Sequence, residues 1–183
     1  MKTLDNAQDI IDFILSQHQQ IKALFDSVLG TRGDARKKAF FEIRRLMAVH
    51  ETAEEEVIHP AARRLLPNGE GIIQSRLAEE KKAKEVLVAL EKLDVDSAAF
   101  ETKLTALKRD VVAHAESEER DELAALASRL EPEQLTRMRK VVRVAESLAP
   151  TRPHPGVESK PANLLVGPFV AMVDRARDAL SSR

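Results

Sequence analysis

Apolar residues recur along this chain at spacings of three and four, the rhythm of a helix buried on one side. In the first segment Ile11, Ile14, Ile21, Phe25 and Val28 keep that rhythm, and His18 falls in the same series. Gly30 and Gly33 punctuate its end around Thr31 and Arg32. A second segment is expected from about Asp34 to Leu66. Ile43, Met47, Val57 and Ile58 mark its buried side, which also carries His50 and Glu54. Pro60 should bend or break it, because proline removes a helical hydrogen bond. Pro67-Asn68-Gly69 reads as a turn. The third segment carries Ile73, Leu77, Leu87, Leu90 and Leu93 on one stripe. Asp96-Ser97 then caps a fourth, in which Phe100, Leu104, Leu107 and Val111 lead into His114 and Glu118.

Short connections favour antiparallel neighbours, so the pattern predicts an all-α, up-down-up-down four-helix bundle with a C-terminal helical extension. The bundle is expected over residues 1–130, and an additional helix over 131–148 begins at Pro132. Residues 149–168 are expected to form a Pro-rich linker, and 169–183 a short amphipathic helix. That last helix has three open fates: docking on the bundle, pairing with a second subunit as a homodimer, or standing in solvent.

Composition narrows the chemistry. With 29 Lys+Arg against 30 Asp+Glu, the chain has no basic footprint for nucleic acid and no polybasic membrane anchor. The absence of cysteine rules out thiolate metal sites, iron–sulfur clusters and disulfides. Tyrosine and tryptophan are absent too, so no tyrosyl radical takes part. The N-terminus lacks a signal peptide's apolar run and no stretch approaches a membrane span, which makes the cytoplasm the expected location.

One phrase occurs twice: His50-xxx-Glu54 and His114-xxx-Glu118. Residues four apart share a helix face. Each phrase has an upstream partner at a similar distance, His18 lying 32 residues before His50 and Glu80 lying 34 before His114. Six inward-pointing groups on four helices are enough to hold two metal ions. Imidazole and carboxylate together suit iron, and also manganese or zinc. Glu54 and Glu118 are placed to bridge two ions, with His18, His50 and His114 as terminal ligands. Three carboxylates in one bundle core would be costly without cations, since an unpaired buried carboxylate costs several kcal/mol or takes up a proton.

In order and spacing, His18, His50-xxx-Glu54, a third-helix ligand and His114-xxx-Glu118 resemble the HHE-type hemerythrin-like domain over about residues 8 to 128. The stretch Pro150–Pro155 followed by Pro161-Ala162-Asn163 is similar to the C-terminal extension of actinobacterial members. The resemblance implies a four-helix bundle with a non-haem di-iron centre, two Fe ions held by His18, His50, Glu54, His114 and Glu118. The family usually has histidine on the third helix, where the apolar register here places Glu80. Three His and three carboxylates look more like the rubrerythrin and ferritin kind of site. Extra anionic ligands stabilise the oxidised metal and shift the expectation from reversible O2 carriage toward peroxide disproportionation, ferroxidation or O2 reduction under oxidative or nitrosative stress. The alternative is an iron, O2 or NO sensor without turnover. A third reading is a helical scaffold with an empty site.

Plainer readings stand beside these. A single His-xxx-Glu pair is ordinarily a surface i,i+4 pair. Glu80 could pair with Lys84, and Glu79 or Lys81 are rival registers. His59 lies five residues after Glu54, roughly 140° around an α-helix from it, and is expected to face elsewhere; its other reading is a hydrogen-bonding role beside a ligand. Asp110 is read as a surface carboxylate or a supporting one, and Lys81, Lys82 and Lys84 as a solvated face.

Overall fold

A computed structural model describes residues 9–148 of the chain. The expected linker and the expected C-terminal amphipathic helix lie outside the described residues. Asp9 opens α1 (Ile10–Gly30) by accepting from the Asp12 N–H at 3.0 Å. Helix α2 (Gly33–Ala53) runs on through a π-helical turn, π1 (Glu54–Ile58), into α3 (His59–Leu65). After a turn through left-handed Asn68 comes α4 (Gly69–Leu90). Ser97 caps α5 (Ala98–Glu118) by accepting from the Phe100 N–H at 3.2 Å. A second π-turn, π2 (Glu119–Leu123), leads into α6 (Ala124–Ala127), and α7 (Pro132–Leu148) follows.

Pro60 does not break its rod. It sits at the start of α3, just after π1, where the helix has already changed its hydrogen-bond register: the His59 N–H reaches back five residues to the Glu54 carbonyl. The wider turn absorbs the missing donor.

Two apolar clusters fix the topology. One contains Ile10, Phe13, Ile14, Ala53, Ile58, Ile73, Leu123 and Leu126, joined by Leu135 and Val142 of α7. The other contains Ile21, Phe25, Phe40, Ile43, Met47, Leu87, Leu90, Phe100 and Leu104. Helix α1 runs from the first cluster to the second, α2–α3 returns, α4 goes out again and α5–α6 comes back. That alternation is an up-down-up-down bundle. The helices touch in chain order, and α5 closes on α1. Helix α7 packs on α1, laying the Arg139 guanidinium 3.8 Å over the Phe13 ring.

At the far end of the bundle, buried Arg36 ties two connections together. It donates to the carbonyls of Thr31 (2.6 Å), Leu29 (3.2 Å) and Val95 (2.9 Å). Gly33, at φ 57, starts α2 in a conformation that a side chain would strain. Its N–H is held by Asp96, whereas the expected cap of α5 falls to Ser97 alone.

Candidate metal centre

Between the two apolar clusters every rod contributes polar residues to one buried layer. His18, Glu54, Glu118 and Glu122 are at most 1 % exposed, and Glu80 is 3 % exposed. His50 is buried and His114 half-buried. The structure therefore brings together all six residues singled out from the sequence. They form two overlapping groups, His18, His50, Glu54 and Glu118, and Glu54, Glu80, His114 and Glu118, each able to present its ligand atoms within 4.8 Å of one another. Glu54 and Glu118 belong to both, as bridging carboxylates would.

Each of the three candidate histidines turns Nε2 inward. His50 Nε2 lies 3.2 Å from Glu54 and His114 Nε2 lies 3.4 Å from Glu118. His18 Nε2 is 3.4 Å from Glu118 and 3.7 Å from Glu54. The opposite ring nitrogen is held from behind in every case. His18 Nδ1 meets Glu119 at 2.8 Å, His50 Nδ1 meets Gln17 Oε1 at 3.1 Å and His114 Nδ1 meets Glu79 at 2.8 Å. A held Nδ1–H leaves the Nε2 lone pair free for a cation, which is how proteins orient histidine ligands. These supporting groups were missed in the sequence, although each is the immediate neighbour of a candidate ligand: Gln17 of His18, Glu79 of Glu80, Glu119 of Glu118.

Glu80 is on the inner face, so the Glu79 and Lys81 registers fall away. Its Oε1 is 2.9 Å from His59 Nε2, while Lys84 stays 3.9 Å from its other oxygen. His59 corrects the sequence expectation. It is 1 % exposed and points into the core rather than away from it. The 140° offset assumed an α-helix, and π1 winds the intervening turn more widely. Asp110 takes its plainer role, bonded to Lys82 at the surface. Lys84 is not a bare solvated side chain, since it pairs with Glu51 at 3.1 Å and Glu55 at 3.0 Å.

The electrostatics are those of a layer short of cations. Burial, then the neighbouring His18, pushes His50 down to about 3. Burial, then Glu118 and Glu80, raises Glu54 well above the usual carboxylate range. Burial works against the Glu118 charge too, but neighbouring His18, then His114 and His50, bring it down to about 2. Both oxygens of Glu54 and of Glu118, together with Glu80 Oε2 and His18 Nε2, are buried without a hydrogen-bond partner. Buried polar groups are otherwise nearly always satisfied. Two divalent ions would satisfy this set, so the residues fit such a pair.

A cavity of about 270 Å³ reaches the layer from one side. Ile21, Met47, Ala83, Val86, Leu107 and Val111 give it an apolar side, His18, His50, Glu80 and His114 border it, and charged Lys22, Glu51, Glu79, Lys82 and Asp110 also line it. The cavity thus opens beside four of the six candidate ligands.

The chain belongs to the hemerythrin family: the profile of the hemerythrin HHE cation-binding domain matches residues 9–127, close to the span that the residue pattern indicated. It is similar to an uncharacterised hemerythrin-like protein of Schizosaccharomyces pombe, with 25% identity over 90% of this chain and 79% of that protein. It is also 27% identical to a DNA nickase of a Nostoc species, over 69% of this chain but only 36% of the nickase. No solved structure matches significantly. Among the described residues no helix is long and apolar enough to cross a membrane.

Proposed function

We propose that this protein is a non-haem di-iron protein that acts on O2 or hydrogen peroxide, by disproportionating peroxide or reducing O2. The observation that carries the reading is the shared construction of His18, His50 and His114: inner nitrogen turned to a carboxylate layer, outer nitrogen held, cavity alongside. In this reading His18, His50, Glu54, Glu80, His114 and Glu118 hold two Fe ions, with Glu54 and Glu118 between them. The iron pair would supply one-electron redox changes and open coordination positions for a small ligand.

The chain's own residues do the rest. Gln17, Glu79 and Glu119 fix the tautomer and the aim of the imidazoles. The cavity beside the layer has room for small neutral molecules such as O2, NO or peroxide. Glu80, an anion where the family usually has a neutral imidazole, favours the oxidised metal and so favours turnover over reversible carriage.

The test is metal content of anaerobically purified protein, with optical spectra before and after O2 and then peroxide. About two irons per chain and peroxide consumed over many turnovers are expected. A stable adduct that reverses under argon would replace turnover by sensing or carriage. Failure to take up any metal after iron reconstitution would overturn the reading.

A further inference from the structure

The residues assigned to two ions do not exhaust the buried ligands. Beyond Glu54 and Glu118, toward α3 and α6, His59 and Glu122 are 1 % and 0 % exposed. Their side chains face each other, His59 Nδ1 lying 3.4 Å from Glu122 Oε2. His59 Nδ1 and both Glu122 oxygens are buried without a hydrogen-bond partner. His59, Glu118 and Glu122 can each present a ligand atom within 4.8 Å of the others.

His59 is also built like the three histidines described above. Each of those has one ring nitrogen held by a carboxylate or amide and the other turned to buried carboxylates. His59 has the same arrangement with the nitrogens exchanged: Nε2 is held by Glu80 at 2.9 Å, and Nδ1 faces Glu122. The two π-turns create the site. His59 follows π1 directly and Glu122 lies within π2, and single π-turns inside α-helices are frequent at functional sites.

We propose that His59, Glu122 and Glu118 form a third position for a divalent transition-metal cation, adjoining the two-ion centre through Glu118. One imidazole and two carboxylates suit manganese, iron or zinc. Arg76 lies behind Glu122, its Nε 3.4 Å from Oε1, while Oε2 faces His59. The same arginine is anchored to Glu79 at 2.6 Å and lies 3.9 Å from Asp121. Two protein oxygens and one nitrogen leave the ion incompletely coordinated, so it binds more weakly than the pair.

This inference rests on the reading of the other histidines as ligands, and the experiment separates the two. Full-length protein is titrated anaerobically with Mn2+, the bound ions counted by elemental analysis and followed by electron paramagnetic resonance. The wild type is expected to take up three ions per chain, the last more weakly; Glu122→Gln and His59→Gln are expected to stop at two. Crystals of the wild type in Mn2+ should show an anomalous peak between His59 Nδ1 and Glu122, a readout independent of how the variants fold. Two ions in the wild type with no such peak would overturn the third position and leave the pair standing. A third ion that both folded variants retain would overturn it as well. No bound ion at all would overturn both readings.

Discussion

Gln17 accepts from His50 across the α1–α2 seam, its Oε1 3.1 Å from Nδ1, while the next residue, His18, turns into the same layer. The relationship recurs around the bundle. Glu79 holds His114 across the α4–α5 seam, Glu119 of π2 holds His18 of α1, and Glu80 of α4 holds His59 of α3. One side-chain bond therefore crosses every seam at the level of the candidate centre, so ligand orientation and helix packing are coupled.

Gln17→Ala should free the His50 ring without removing a candidate ligand. Metal affinity is expected to fall about 10- to 100-fold, the usual effect of losing such a supporting bond. A competition titration against a chelator measures it. Unchanged affinity would show that packing alone aims His50.

Glu54→Gln should act with opposite signs on the two forms. Neither Glu54 oxygen has a hydrogen-bond partner, and Glu118 and Glu80 are close. Removing this ionisable group is expected to stabilise the metal-free protein by about 1–3 kcal/mol and to abolish two-ion binding. Urea unfolding with and without metal tests both signs.

The metal-free protein should lose stability as pH rises from about 6.5 to 9. Burial disfavours the His59 charge, but Glu122 and Glu80 outweigh it and raise the group to about 9. The folded state therefore holds a proton that the unfolded chain, at its ordinary 6.5, has released. The stabilisation is fully present below 6.5, declines above it and is gone above about 9; its size is at most about 3 kcal/mol. Thermal melts of wild type and His59→Gln against pH should show a shallower decline in the variant.

Filling the cavity should separate access from metal binding. Val86→Phe places a ring against the apolar wall beside Leu107 and Val111. Peroxide consumption is expected to fall roughly tenfold or more, a barrier increase of about 1.4 kcal/mol, with metal content unchanged. Loss of metal instead would place Val86 among the residues that support the ligands.

Arg36→Ala should cost stability without touching the centre. The substitution leaves the carbonyls of Leu29, Thr31 and Val95 without their buried donor. A loss of about 2–4 kcal/mol is expected, read from denaturant midpoints with metal affinity preserved.

The repeated His-xxx-Glu phrase and the apolar stripes were legible in the sequence because both depend on the α-helical period. His18, His50, Glu54, Glu80, His114 and Glu118 share stripes with residues such as Ile21, Met47, Ile73 and Leu107, so their common face follows from spacing alone. Chain order and short turns then place four such faces around one axis. What the period could not convey is where it fails. At π1 and π2 the backbone bonds reach back five residues, from His59 to Glu54 and from Ala124 to Glu119. That change of winding brings His59, assigned elsewhere by the α-helical angle, into contact with Glu80. The supporting bonds were hidden for a related reason. Gln17, Glu79 and Glu119 each serve a histidine on a different rod, and a partner 33, 35 or 101 residues away leaves no local pattern to read. The sequence by itself determined which residues face inward on each helix; only the packing of one helix against the next decided which nitrogen each histidine keeps free.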